Sequence, residues 1–252
     1  MGLGKVHDEI RKPLPAKLER AREVIRRHLV EFPPERVYVS WSGGKDSTLV
    51  LWLVMEQHPK VKAVFVNTGV EFPETVRFVR DFASRFGVNL VELRPKATFW
   101  EVVERYGFPR FRWRKADGRS KNPACCRYLK ERPVKEWIRK EGILAEFSGV
   151  TAVESKNRMI TAMKYGFCHH VKDWGICKIK PILFFTEEDV WELHDKFGIP
   201  RNPAYEFTDR LGCVTCTGFQ GWERRMMTRY PKLYNLVVSR MGKGQLCLPL
   251  GR

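Results

Sequence analysis

Between residues 37 and 149, short apolar runs alternate with segments of helical period, and this alternation limits the fold more than any other feature. Val37–Trp41, Lys62–Asn67, Asn89–Leu93 and Leu144–Gly149 read as strands. Thr48–Gln57, Glu74–Phe86, Phe99–Tyr106 and Leu129–Glu141 read as the helices between them. Strands separated by helices of this length build βαβ units. The expected class is therefore α/β, an open, mainly parallel sheet with helices on both faces and right-handed crossovers.

The flanks are less regular. Residues 16–31 carry Leu18, Ala21, Val24, Ile25 and Leu29 at helical spacing, and Phe32-Pro33-Pro34 stops that helix. Further on, Val153–Tyr165 and Glu187–Phe197 read as helices and Lys178–Phe184 as an extended segment. Pro200, Asn202 and Pro203 mark a loop, and Gly221–Val238 reads as one more helix. The expected organisation is an N-terminal helical extension (1–36), a main domain (37–220) and a C-terminal helix with a basic tail (221–252). Residues after about 170 are expected to form a small irregular C-terminal lobe or extension on the same core.

Composition narrows the function classes. No apolar stretch approaches the ~20 residues that a bilayer span requires. No secretory signal is visible at the N-terminus, so the cytoplasm is the expected compartment. The formal net charge is +17, which points to a polyanionic partner. Residues 105–140 hold thirteen Lys or Arg against three acidic residues, interleaved with Phe108, Phe111 and Trp113. Residues 221–252 hold seven basic residues against one acidic. Arginines among aromatics suit stacking on bases, so tRNA or DNA is a candidate partner. A basic lid over a nucleotide is the alternative use of the same charge.

The sharpest local motif is Ser42-Gly43-Gly44-Lys45-Asp46-Ser47, between an expected strand and an expected helix. Two glycines permit a tight turn and a close approach to a ligand. The helix start offers amide groups and the positive end of its dipole, while Lys45 adds a charge and Ser42 and Ser47 add hydroxyls. Together these favour phosphate. The spacing is neither that of a Walker loop nor that of the dinucleotide fingerprint.

This hexapeptide resembles the pyrophosphate (PP) loop of the adenine nucleotide alpha-hydrolase-like superfamily, whose fold is Rossmann-like. Further motifs follow in order: Asn67-Thr68-Gly69 with Glu71, Gly149 through Glu154-Ser155 to Arg158, Pro181-Ile182, Thr186 to Trp191, Pro200 to Tyr205, and Cys213-x-x-Cys216. In that order they resemble the phosphoadenosine-phosphosulfate (PAPS) reductase family over roughly residues 37–220. Two positions depart from the family pattern: Asn67 stands where Asp is common and Thr151 where Arg is common.

The resemblance implies an adenine nucleotide held by Ser42, Gly43, Gly44, Lys45, Asp46, Ser47, Asn67, Thr68, Gly69, Gly149, Glu154, Ser155 and Arg158. The nucleotide would be ATP with Mg²⁺, adenylyl sulfate (APS) or PAPS. Lys45 and Asp46 are the candidate catalytic residues of the loop. In open α/β sheets, ligands sit beyond the carboxyl ends of the strands, where these segments fall. Glu154 and Arg158 share a helical face and also suit a simple surface ion pair.

Seven cysteines occur in the chain. Cys125-Cys126 and Cys213-x-x-Cys216, with 86 residues between the pairs, resemble the iron–sulfur version of the family, in which four thiolates hold a [4Fe–4S] cluster. A Cys₄ zinc site is the alternative. Cys168 and Cys177 are expected as buried free thiols. Cys247 is a candidate tail nucleophile, although the Glu-Cys-Gly-x-His tail of the reductases is absent.

Three readings follow. The foremost is an ATP-dependent enzyme that adenylates a nucleic-acid acceptor, releases pyrophosphate and inserts sulfur from a donor. The second is an APS or PAPS reductase that forms sulfite with thioredoxin. The third is a non-catalytic module that binds a nucleotide and a cluster.

Overall fold

In the computed structural model, residues 1–109, 123–218 and 221–241 are described. The chain divides into two compact units. One comprises Met1–Phe65, Glu74–Leu93 and Lys135–Pro203, the other Val66–Pro73, Arg94–Val134 and Ala204–Arg252.

The first unit is built on a six-stranded sheet of order β3-β2-β1-β4-β6-β5. The strands are β1 (Val37–Ser40), β2 (Lys62–Val66), β3 (Asn89–Leu93), β4 (Ala145–Ser148), β5 (Cys168–Val171) and β6 (Ile176–Ile179). β1 pairs in parallel with β2 and β4, and β4 with β6, while β5 runs antiparallel to β6. The expected mainly parallel α/β sheet is thus present. The chain winds outward from β1 through β2 to β3, then returns to place β4 on the other side of β1. The strand order reverses between β1 and β4, and that crevice is where ligands of open α/β sheets bind.

Helices α1 (Leu3–Arg11), α2 (Leu14–Glu31), α3 (Lys45–Met55), α4 (Pro73–Phe86), α7 (Arg132–Glu141), α8 (Lys156–Tyr165) and α9 (Glu187–Phe197) accompany this sheet. Val37, Val39, Ala145, Phe147 and Ile179 of the strands share one buried cluster with Ile25 of α2, Leu49 to Val54 of α3 and Leu193 of α9. Strands covered on both faces read as continuous apolar runs, as these do.

The second unit has its own core, in which Phe99, Val102 and Val103 of α5 (Phe99–Tyr106) pack with Leu129, Val214 and Trp222. A capping box at Thr98 and Glu101 starts α5. The cysteine pair lies in α6 (Ala124–Cys126), continued by a π-helical turn, Arg127–Glu131. α10 (Trp222–Arg229) and α11 (Pro231–Met241) end the described chain.

Several expectations need correction. α3 begins at Lys45, three residues before the expected Thr48, so Lys45, Asp46 and Ser47 form its first turn. α8 begins at Lys156 because the Ser155 hydroxyl accepts from the Arg158 amide and caps it. The helical run expected from Leu129 starts earlier, at Ala124, and passes through the π turn Arg127–Glu131 before α7 begins at Arg132. Gly221–Val238 is two helices, since Pro231 has no amide to continue the first. Lys178–Phe184 is extended only to Ile179. Turns follow, with Leu183 N donating to Lys180 O and Phe185 N to Ile182 O. Cys168 and Cys177 are a disulfide across the β5–β6 pair, not free thiols. Neither α1 nor β5 was anticipated.

Candidate functional site

The loop after β1 is held rigidly from several sides. Gly43 has φ +73°, and a Cβ there would stand 2.9 Å from Val79 Cγ2 and 3.1 Å from Thr75 Cγ2. Only glycine satisfies both demands. Gly44 is the N-cap of α3 and brings no capping side chain to that helix end. Ser47 Oγ donates to Gly44 O at 3.0 Å and accepts from Ser42 N at 3.2 Å, and the two serine hydroxyls are 3.0 Å apart.

Partners from α9, from the loop after it and from the segment after β4 complete the support. Asn202 Nδ2 donates to Gly43 O at 3.0 Å and to Thr75 Oγ1 at 3.1 Å. His194, 1% exposed, lies 2.9 Å from Lys45 O through Nε2. Burial pushes this imidazole below its ordinary value. Nε2 carries the proton of this bond, because a carbonyl oxygen only accepts. On the β4 side, a Cβ on Gly149 would be 2.5 Å from Asp46 C and Ser47 N. The two loops that flank the β1–β4 crevice thus touch backbone to backbone. A preformed loop at a helix start, with Lys45 Nζ 2.9 Å from Asp46 Oδ2 and 3.7 Å from Glu187 Oε1, suits a phosphate or sulfate ester.

The remaining expected nucleotide residues divide. Glu154 and Arg158 form an i,i+4 ion pair on a partly exposed face, and Ser155 serves as the α8 cap. Asn67, Thr68 and Gly69 belong to the second unit. There, Asn67 Oδ1 accepts from Gly69 N at 3.1 Å. Thr68 Oγ1 donates to Glu71 Oε1 at 2.9 Å and lies 3.8 Å from Cys213 Sγ.

The four expected ligand cysteines all lie in that second unit, partly buried and unbridged. A short antiparallel bridge joins Glu71 to Cys213, and Val214 N donates to Val70 O at 2.8 Å. Lys130 Nζ is 3.1 Å from Glu71 Oε1, to which Cys213 Sγ donates at 3.5 Å. The thiols act on one another. A hydrogen bond from Cys125, with help from Lys130, outweighs burial and lowers Cys126 to about 7. That hydrogen bond to Cys126 and burial raise Cys125, and the charge of a Cys126 thiolate raises it further. Burial pushes Cys213 up to about 12 and also raises Cys216. Among the described residues, no group of three or more His, Cys, Asp or Glu side chains is arranged to hold a metal ion as it stands.

Residues 110–122, within the basic stretch, and 242–252, which include Cys247, lie outside the described residues. No described helix is long and apolar enough to cross a membrane. Sequence reasoning missed His194 and Lys180. For Lys180 a signal existed, as it is the one cation in the run Ile179–Phe185.

A reversal of strand order with a serine–glycine–lysine loop on one side and a close-packed glycine on the other is the arrangement of an open α/β sheet with a ligand crevice at its switch point. The model for the phosphoadenosine phosphosulfate reductase domain matches residues 36–219, and the chain belongs to that family. An uncharacterized protein of Methanocaldococcus jannaschii is 30% identical over 246 residues, covering 93% of this chain and 56% of that protein. A second M. jannaschii protein is covered over 40% of its length, so the chain spans about half the length of these two relatives. An adenosine 5′-phosphosulfate reductase of Bacillus cereus is 29% identical over 190 residues, 74% of this chain and 75% of that one.

Among solved structures, a PAPS reductase from Candida auris in complex with phosphate superposes with a TM-score of 0.59 at 20% identity, covering 77% of this chain and 87% of that chain. Yeast FAD synthetase superposes at 0.54 and 14% identity, over 84% and 72%. At these identities the likeness is one of fold.

Proposed function

We propose that the chain is a sulfonucleotide reductase, taking adenylyl sulfate or its 3′-phosphorylated form. The observation that carries this reading is the thiol set of the second unit, in which Cys213 Sγ donates to the Glu71 carboxylate paired with Lys130 and Cys125, Cys126 and Cys216 are partly buried and unbridged, in a chain that also carries the Ser42–Ser47 loop. Reductases named for adenosine 5′-phosphosulfate align over about three quarters of the chain, which supports the same reading.

The loop residues do the binding. The α3 start, Ser42 and Ser47 hold the anionic end of the nucleotide, and Lys45 offsets its charge. His194 and Asn202 keep the loop in shape. A thiolate, for which Cys247 is the candidate, attacks the sulfur of the sulfonucleotide. A sulfur–sulfur bond forms, the sulfur–oxygen bond breaks, and AMP or its 3′-phosphate leaves with the electron pair. A dithiol of the thioredoxin class then releases sulfite and is itself oxidised to the disulfide.

The four thiols also suit a [4Fe–4S] cluster by donor chemistry. As they stand, two of them spend their protons on hydrogen bonds, Cys125 to Cys126 and Cys213 to Glu71. Deprotonation frees those sulfurs as ligands, and Lys130 offsets the added negative charge. Such a cluster supplies an electrostatic and redox-active centre when bound.

A second reading is favoured by the intact loop. Lys45 beside Asp46 suits ATP with Mg²⁺, and ATP-dependent sulfur insertion into tRNA or DNA would use the same site. The two readings are separated on anaerobically purified protein after iron and sulfide are assayed. Sulfite formed from adenylyl sulfate or PAPS with thioredoxin, and lost in Cys247→Ser, is the expected result. Pyrophosphate that requires nucleic acid and is lost in Lys45→Ala would overturn it in favour of the second. Tight nucleotide binding with neither product would mark a non-catalytic module.

A further inference from the structure

Two lysines among the described residues are buried, Lys17 at 7% exposure and Lys180 at 4%. Their surroundings differ. The Lys17 ammonium is bound by the Asp189 carboxylate and by Ile10 O. Lys180 Nζ has no hydrogen-bond partner. Its neighbour Lys178 is satisfied, 3.1 Å from Glu146 Oε2 and 3.9 Å from the Trp174 ring centre. A buried ammonium without a partner is among the costliest arrangements a fold can keep. The arrival of an anion removes that cost.

The position of Lys180 says which anion. It directly follows β6, at the carboxyl edge of the sheet. Phe147 stands opposite Ile179, and that register continued by one residue sets Lys180 beside Ser148, itself paired with Ser40. Ser148 Oγ also donates to Ile179 O at 3.4 Å. Ser40 and Ser148 thus end their strands in one row, and Lys180, the residue after β6, extends it. The first two lead into the phosphate loop and into Gly149. Ala152 N donates to Leu183 O at 2.7 Å, which ties the segment after Lys180 to the segment after Gly149. Lys178 repels the Lys180 ammonium, and His169 feels the charge of both lysines. Burial, Lys180 and Lys178 all push the His169 imidazole down.

We propose that Lys180 is an anion-binding residue of the nucleotide site, its ammonium taking a sulfate or phosphate oxygen of the bound adenylyl ligand. The assignment rests on the functional reading above. A charge-assisted bond of this kind, once lost, weakens binding about ten- to a hundredfold.

The test uses the full chain, with Lys180→Met and Lys180→Gln checked for folding by thermal unfolding. Adenosine, AMP, adenylyl sulfate and inorganic sulfate are titrated calorimetrically into each protein. Adenosine is expected to bind all three alike, and adenylyl sulfate about ten- to a hundredfold more weakly to both variants. An equal loss for AMP assigns the lysine to the phosphate, and a loss confined to adenylyl sulfate and inorganic sulfate assigns it to the sulfate. Variants that bind every anionic probe as well as the wild type overturn the proposal. Sulfite production is measured separately. Its absence with the lysine-dependent affinity intact overturns the reductase reading alone, and its presence with an unchanged KM in both variants overturns the role of Lys180 alone.

Discussion

Gly149 lies against Asp46 so closely that a Cβ on the glycine would be 2.5 Å from the Asp46 carbonyl carbon. The contact is backbone on backbone, so no side-chain rotation relieves it. Gly149→Ala is expected to push the phosphate loop away from β4, lowering nucleotide affinity at least tenfold and stability by roughly 1–3 kcal/mol. Calorimetric titration with AMP and thermal unfolding check this. Unchanged affinity would show that the contact does not shape the loop.

Lys130 neutralises a carboxylate that is nearly enclosed, since the Glu71 side chain is 6% exposed. Lys130→Met strands that charge and is expected to cost roughly 2–3 kcal/mol, less than for a wholly enclosed pair because the lysine is partly exposed. Adding Glu71→Gln should restore most of the loss. Denaturant unfolding of the two single variants and the double variant gives the coupling. Additive losses would contradict a pairwise role.

Cys168 and Cys177 close a short loop, being nine residues apart in sequence. Restricting so short a loop in the unfolded chain is worth about 2–3 kcal/mol. Reductant should lower the melting temperature of the wild type and leave that of Cys168→Ala/Cys177→Ala unmoved. A reductant shift of equal size in the double variant would trace the effect to the other cysteines.

Burial, with repulsion from Lys178, pushes the Lys180 ammonium down to about 8 from 10.5. Below about pH 8 the group is protonated in both states, and the fold bears the full cost of the buried charge. Between about 8 and 10.5 the unfolded chain holds a proton that the native state has shed, so stability rises with pH. The gain is on the order of 3 kcal/mol. It is read as the difference between urea-unfolding curves of the wild type and Lys180→Met across that window. A difference flat in pH would mean the lysine reaches water.

Legibility in the sequence followed the strength of local patterns. The four central strands and the helices between them announce themselves by apolar period, and these elements account for the sheet at the crevice. α3 was read to start at Thr48 because its apolar repeat starts there, while Lys45, Asp46 and Ser47 carry no apolar signal. β5 was missed because Cys168-His169-His170-Val171 does not alternate and its pairing with β6 is supplied by the hairpin. The break at Tyr230 is legible in Pro231, which has no amide to extend α10.

By itself, then, the chain's sequence determined the α/β class, the Ser42–Ser47 turn and the family, because strand and helix periods and a glycine-bearing turn are properties of neighbouring residues. Only the tertiary structure decided that Cys168 and Cys177 are joined, that Cys125, Cys126, Cys213 and Cys216 share one electrostatic environment, that Gly149 touches the loop backbone, and that His194 and Lys180 are buried. Burial and pairing depend on which distant segments the fold brings together, and no local pattern encodes that distance.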